Sequence, residues 1–250
     1  MIPTIEAKHQ PRILVVDDEA DTCANLSDIL GDLGYDVDTA QSGQQALELV
    51  VKKHYDVALL DLKMPGMDGL ELYRRMKELR SGTVAMVVTA YATSDTAKAA
   101  LGAGAWRILS KPVDFSQLLP LVNEAIEQPL VLVVDDDCDL CDSLWDIFRE
   151  HNCRVCVAHE TREAEERLRQ NDYHVVLIDM KLPEGDGRQV FQLVREVNPR
   201  ARTVLITGLR SEMEQIVFKT LAEGADAACY KPFNMPELLS TVQRLTGKAK

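Results

Sequence analysis

The sequence has no basic tract, no long apolar run and no stretch of glycine and serine, and each absence excludes something. Its 250 residues carry 28 Lys and Arg against 40 Asp and Glu, a net charge of −12. Nucleic-acid binding needs a basic footprint that displaces counterions from phosphates, so direct contact with DNA or RNA is not expected. No apolar run approaches the ~20 residues that span a bilayer, so no membrane segment is expected. The opening residues MIPTIEAKHQPR lack the apolar centre of a secretory signal. These absences predict a soluble protein of the cytoplasm.

The six cysteines do not form a framework either. Cys138 and Cys141, followed by Cys153 and Cys156, have the spacing of a zinc ribbon. A helix expected between Cys141 and Cys153 would hold these two roughly 15 Å apart at 1.5 Å per residue. Ligands of one zinc lie within about 4 Å of one another. The first half has Ala20, Cys23, Tyr35 and Asp38 at the matching places, so the fold does not depend on a metal there. All six are read as reduced, mostly buried thiols in a reducing compartment.

What the chain does have is a repeat. Residues 13–18 read ILVVDD, and residues 129–136 read PLVLVVDD. DVALLDLKMPGMDG at 56–69 is echoed by HVVLIDMKLPEGDG at 174–187. Asp61 follows Asp17 by 44 residues, and Asp179 follows Asp135 by the same 44; Thr89 and Thr207 each follow 28 residues later. A period of about 118 residues is too long for a solenoid unit and matches a small domain. The predicted organisation is an arm at 1–10, a first domain at 11–127, a join at 128–129 and a second domain at 130–247. The join, Gln128-Pro129, has no Gly/Ser spacer to make it flexible.

Each half alternates apolar runs with amphipathic stretches. ILVV (13–16), VALL (57–60), VAMVV (84–88) and IL (108–109) are unbroken, as in parallel strands covered on both faces. The weaker YDVDTA (35–40) suits a sheet edge. Ser42, Asp68 and Asp114 sit where caps open helices, and the second half repeats the pattern near Thr161, Asp186, Ser211 and Met235. The fold class is therefore α/β, two doubly wound parallel sheets with right-handed crossovers. Such sheets bind ligands at the carboxyl ends of their strands.

The chemistry-bearing residues gather at those ends. Asp17 and Asp18 close the first strand, Asp61 the third and Thr89 the fourth, and Lys111 follows the fifth. Carboxylates crowded together repel one another, and a hard divalent cation relieves the repulsion. A hydroxyl and an ammonium beside such a cation suit the remaining oxygens of a phosphoryl group. Five matched positions occurring twice argue against solvated strand-end caps.

These motifs resemble two tandem receiver domains of two-component response regulators, over essentially the whole chain. The resemblance implies flavodoxin-like five-stranded sheets in the order 2-1-3-4-5. It implies that Asp61 and Asp179 are phosphoacceptors. Asp18 and Asp136 would be direct metal ligands together with the acceptors Asp61 and Asp179, Asp17 and Asp135 would hold metal-bound water, and the backbone carbonyls of Lys63 and Lys181 would be the third protein ligand. Thr89 and Thr207 would be the switch hydroxyls. Lys111 and Lys231 would bind phosphate, each followed by a cis peptide bond to Pro112 or Pro232. The implied cofactor is Mg²⁺, with Mn²⁺ as an alternative. The implied partner is a sensor histidine kinase or a histidine phosphotransfer protein. The implied turnover is limited to phosphotransfer and dephosphorylation at Asp.

The chain also departs from that pattern. The family's usual aromatic three residues before the lysine is replaced by Ile108 and Ala228. Strand alternation predicts Trp106 on the same face as Ile108. The two would then form an apolar patch on the face made by the fourth helix, fifth strand and fifth helix, where homodimers or receiver–receiver pairs would form. The second copy has 24 residues from Thr207 to Lys231, against 22 from Thr89 to Lys111. Two other readings remain. One is the receiver part of a larger hybrid histidine kinase or effector-bearing regulator. The other is a dehalogenase-type phosphatase, which needs Asp-x-Asp where this chain has Asp61-Leu62-Lys63.

Overall fold

The computed structural model describes residues 10–79, 82–90, 98, 100, 102, 105–183, 185–208 and 210–247, with the backbone alone for 210–213. The expected arm at 1–10 lies outside these residues apart from Gln10. So does most of 91–104, where the first copy's fourth helix is expected. The chain divides into two compact units, Met1–Glu127 and Gln128–Lys250.

The first unit runs β1 (Arg12–Val16), α1 (Ala20–Asp32), β2 (Asp36–Ala40), α2 (Gly43–Lys52), β3 (Val57–Asp61), α3 (Gly69–Glu78), β4 (Val84–Thr89), β5 (Arg107–Ser110), α4 (Phe115–Ile126). The second runs β6 (Leu130–Val134), α5 (Cys138–Glu150), β7 (Arg154–Ala158), α6 (Thr161–Gln170), β8 (Val175–Asp179), α7 (Gly187–Val197), β9 (Arg202–Thr207), α8 (Arg210–Ala222), β10 (Ala227–Tyr230), α9 (Met235–Leu245). Each sheet is five-stranded and parallel, in the orders β2-β1-β3-β4-β5 and β7-β6-β8-β9-β10. These are the doubly wound flavodoxin-like sheets the sequence predicts, with the weak strand β2 at an edge.

The apolar runs form central strands because both of their faces are covered. Ile13, Val15, Val57, Leu59, Val84 and Met86 pack toward α1 and α4. Their neighbours Leu14, Val16, Ala58, Leu60 and Ala85 pack toward α2 and α3. The helices start where the sequence supplies caps. Ser42 accepts from the Gln45 amide at 3.3 Å, Asp68 from Glu71 at 2.7 Å and Asp114 from Ser116 at 2.9 Å. Each such cap is worth about 1 kcal/mol.

Register then fixes the functional edge. Val16 pairs with Leu60, Asp61 with Val88, and Thr89 with Ser110. In the second sheet Val134 pairs with Ile178, Asp179 with Ile206, and Tyr230 with Thr207. The strands therefore end level, and the residues just beyond them converge. No helix among the described residues is long and apolar enough to cross a membrane. All six cysteines are free: Cys23, Cys141, Cys153 and Cys156 are buried, Cys229 is half-buried, and Cys138 is exposed.

Candidate functional site

Asp17, Asp18 and Asp61 bring carboxylate oxygens within 4.8 Å of one another, and Asp135, Asp136 and Asp179 do the same. In each trio the middle acid is exposed and the other two are buried. The lysine after the last strand reaches into this cluster. Lys111 Nζ lies 2.6 Å from Asp17 Oδ2 and 3.0 Å from Asp61 Oδ1. Lys231 Nζ lies 2.6 Å from Asp135 Oδ2 and 2.6 Å from Asp179 Oδ2. The peptide bonds Lys111-Pro112 and Lys231-Pro232 are both cis.

Backbone amides complete the cradle. The Glu19 amide donates to Asp17 Oδ1 at 3.1 Å, and the Lys63 amide to Asp61 Oδ2 at 3.1 Å. The Asp137 and Lys181 amides do the same for Asp135 at 3.1 Å and Asp179 at 2.9 Å. Thr89 and Thr207 are buried at the ends of β4 and β9. Their carbonyls accept from the Lys111 and Lys231 amides at 2.9 Å each, tying threonine and lysine strands together at the site. In the second unit a cleft of about 570 Å³ is lined by Asp136, Asp179, Lys181, Thr207 and Lys231 among others.

Electrostatics set the state of these groups. Burial raises Asp61 above the usual carboxylate range, and Lys111 only partly offsets it. Burial likewise raises Asp135 against the pull of Lys231. Burial alone would push Lys111 and Lys231 down, but the hydrogen bonds each makes with two acids push them up instead. Each lysine therefore stays an ammonium, and three carboxylates against one ammonium leave two uncompensated negative charges. The donors are all oxygen and the residual charge is two, which fits a hard divalent cation such as Mg²⁺.

Two segments of the chain, 13–123 and 131–243, match the family model of the response regulator receiver domain. The chain belongs to the response regulator receiver family. A response regulator receiver protein of Anaeromyxobacter sp. (strain Fw109-5) is 34% identical over 234 residues, 94% of each chain. The transcriptional regulatory protein ZraR of Klebsiella oxytoca is 41% identical over 117 residues, covering 47% of this chain and 26% of that protein. A receiver domain protein of Methanospirillum hungatei, known from its crystal structure, is 33% identical over 47% of this chain and 94% of that one, with a TM-score of 0.46. The protein is thus a two-component response regulator with two receiver domains. Receiver domains are signalling domains that take phosphoryl groups from histidine kinases or phosphotransfer proteins and bind Mg²⁺ at an acidic pocket.

One expectation about the two receivers needs correcting. Trp106 and Ile108 do not share a face. Trp106 packs with Leu109, Leu118 and Val122 on the α1/α4 side, with Arg107 stacked 4.3 Å from its ring. Ile108 packs on the other side, against Leu62, Val87, Ala100 and Ala105. Alternation fails because β5 begins at Arg107, so Trp106 lies one residue before the strand and is free of its pleat.

The second receiver also has two ion pairs where the first has apolar residues. In the second, Arg188 Nη2 donates to Glu223 at 3.0 and 3.2 Å, and Arg202 Nη1 to Asp226 at 3.1 Å. The Thr203 amide holds the other Asp226 oxygen at 2.8 Å. The first receiver has Leu70, Val84 and Trp106 in place of Arg188, Arg202 and Asp226, and all three pack against apolar clusters.

Two groups of site neighbours escaped the sequence reading. Gly69 and Gly187 open α3 and α7 directly against the carbonyls of Asp61 and Asp179. Cys23 and Cys141 each place a thiol 3.3 Å from the backbone carbonyl of Asp17 or Asp135. The signal for the second pair was present: a cysteine six residues after the acid in both copies.

Proposed function

We propose that Asp61 and Asp179 are the phosphoacceptors of two receivers, spanning 11–127 and 130–247 and joined by 128–129. The observation that carries this reading is the lysine bridge, in which one ammonium touches the acceptor and a neighbouring buried acid in both units. A carboxylate oxygen of the acceptor attacks phosphorus of a phosphohistidine. The P–N bond breaks as the P–O bond forms, and its electron pair leaves with the donor imidazole. Lys111 or Lys231 stays paired with the acceptor side and neutralises a phosphoryl oxygen. The buried hydroxyl of Thr89 or Thr207 satisfies another. Asp17 and Asp18, or Asp135 and Asp136, with the carbonyl of Lys63 or Lys181, hold Mg²⁺. When bound, that ion neutralises charge on the phosphoryl oxygens. Mn²⁺ suits the same oxygen donors.

The phosphoryl donor is a sensor histidine kinase or a histidine phosphotransfer protein, and turnover is confined to phosphotransfer and hydrolysis at Asp. The setting is cytoplasmic. Output passes through association with a second copy or between receivers, at the face built on β5 or β10. With Ile108 and Ala228 in place of the aromatic, no ring stands at that position to accompany the switch hydroxyl. Labelling with acetyl phosphate and Mg²⁺ tests the site. Wild type should carry two labels, Asp61→Asn and Asp179→Asn one each, and the double variant none. Retained labelling in the double variant would overturn the assignment.

A further inference from the structure

Beneath each acidic cluster, the first helix of that unit sends a buried thiol back to the strand end. Cys23 on α1 is 3% exposed and Cys141 on α5 is 0% exposed. Cys23 Sγ lies 3.3 Å from the Asp17 carbonyl oxygen, and Cys141 Sγ lies 3.3 Å from the Asp135 carbonyl oxygen. The same contact arises twice in one chain at the same distance, and Cys23 Sγ also lies 3.7 Å from the Ala40 carbonyl oxygen. In the second unit the Asp135 carbonyl also meets His159 Nδ1 at 3.1 Å.

This carbonyl has a particular place in the site. It belongs to the peptide unit that joins Asp17 to Asp18, or Asp135 to Asp136. A peptide unit is planar, so fixing its C=O also fixes the N–H of the next residue and the direction of the chain through it. The buried acid of each pair is already anchored by a lysine and a backbone amide. The exposed acid, Asp18 or Asp136, takes its direction from the peptide plane behind it. A sulfur donor is weak, but a recurring geometry at a buried position gives it a consistent effect.

We propose that Cys23 and Cys141 are positioning residues for divalent-cation binding: each thiol orients the peptide unit that carries the exposed acid of its cluster. The inference rests on the reading that these acids hold Mg²⁺. A purely space-filling role for the two cysteines makes the opposite forecast, because any side chain of similar size would then serve.

The test uses the full chain with both cysteines changed together. Cys23→Val/Cys141→Val puts a slightly larger apolar side chain in place of each thiol and removes the donor. Cys23→Ser/Cys141→Ser keeps a donor. Mg²⁺ affinity is read by calorimetry, alongside the thermal midpoint in EDTA. The valine protein should bind Mg²⁺ about two- to fivefold more weakly at each site, with its EDTA midpoint close to wild type. The serine protein should bind as wild type does. Should the valine protein fail to fold, Cys23→Ala/Cys141→Ala removes the donor without adding bulk and carries the same expectation. Wild-type affinity in the donor-less protein, or equal loss in the serine protein, overturns the inference. A wild type that binds no Mg²⁺ would overturn the reading of the acids themselves, and the inference with it.

Discussion

Gly187 approaches Asp179 so closely that a methyl group added at Gly187 would run into the Asp179 carbonyl oxygen. Gly69 stands against Asp61 in the same way. The obstacle in both cases is backbone, which cannot swing aside as a long side chain can. Gly69→Ala or Gly187→Ala should therefore displace the proposed acceptor itself. The expected loss is about 1–3 kcal/mol, the usual cost of overpacking, together with reduced labelling of that acceptor. Urea unfolding and acetyl-phosphate labelling of each variant check the pair of effects.

Removing the bridging ammonium should leave two buried carboxylates without a cation. Lys111→Met or Lys231→Met is expected to destabilise its unit in EDTA. Breaking a fully buried pair costs about 3–5 kcal/mol; with these lysines about a fifth to a quarter exposed, a loss on the order of 2–3 kcal/mol is expected. Millimolar Mg²⁺ should restore most of it, since a bound cation replaces the missing charge. Thermal melts with and without Mg²⁺ measure the recovery, and a loss that Mg²⁺ leaves untouched would contradict the shared-charge account.

The raised acids predict an unusual pH response in EDTA. A folded-state pKa above the unfolded one means that the folded protein takes up the proton more readily, so stability rises as pH falls through the folded value. Asp61 and Asp135 both behave this way because they are buried. Asp61→Asn should thus be more stable than wild type near neutrality, with the gap closing as acid protonates Asp61. Urea titrations at stepped pH report that gap directly.

Asp38 should respond in the opposite sense. Burial alone would raise it, but Lys53 and Tyr55 hold it below the usual carboxylate range, with contacts of 2.8 Å to each. Its stabilising contribution is present above the unfolded pKa and is lost as pH falls through the folded one. Asp38→Asn should cost stability at neutral pH and nothing at strongly acidic pH, as chemical denaturation at the two extremes would reveal.

The sequence was most informative where function and local chemistry coincide. Unbroken apolar runs ending in Asp61, Asp179, Thr89 and Thr207 announce buried parallel strands and what stands at their tips. Ser42, Asp68 and Asp114 mark helix starts because a cap acts within three residues of itself. The reading failed where an outcome depended on geometry beyond the pattern. Alternation puts Trp106 on the face of Ile108, but the pleat starts one residue later. Arg188 and Glu223 are 35 residues apart, and no periodicity links them. The cysteine contacts depend on how a helix leans over a strand end, which a one-dimensional repeat can flag but not explain.

The residues packed on the fifth strand form an apolar cluster in both receivers, but the charges around it differ. Leu70 and Ile108 pack against the cluster of Leu62 and Val87 in the first, and Ala228 against that of Met180 and Leu205 in the second, where Arg188–Glu223 and Arg202–Asp226 add two partly exposed ion pairs. Apolar contact weakens on cooling, and partly exposed ion pairs weaken as ionic strength rises. Cold acts on both clusters, and brine acts on the second receiver's two added ion pairs. A cell that dries therefore loosens the surroundings of the second receiver's fifth strand without touching Asp61 or Asp179.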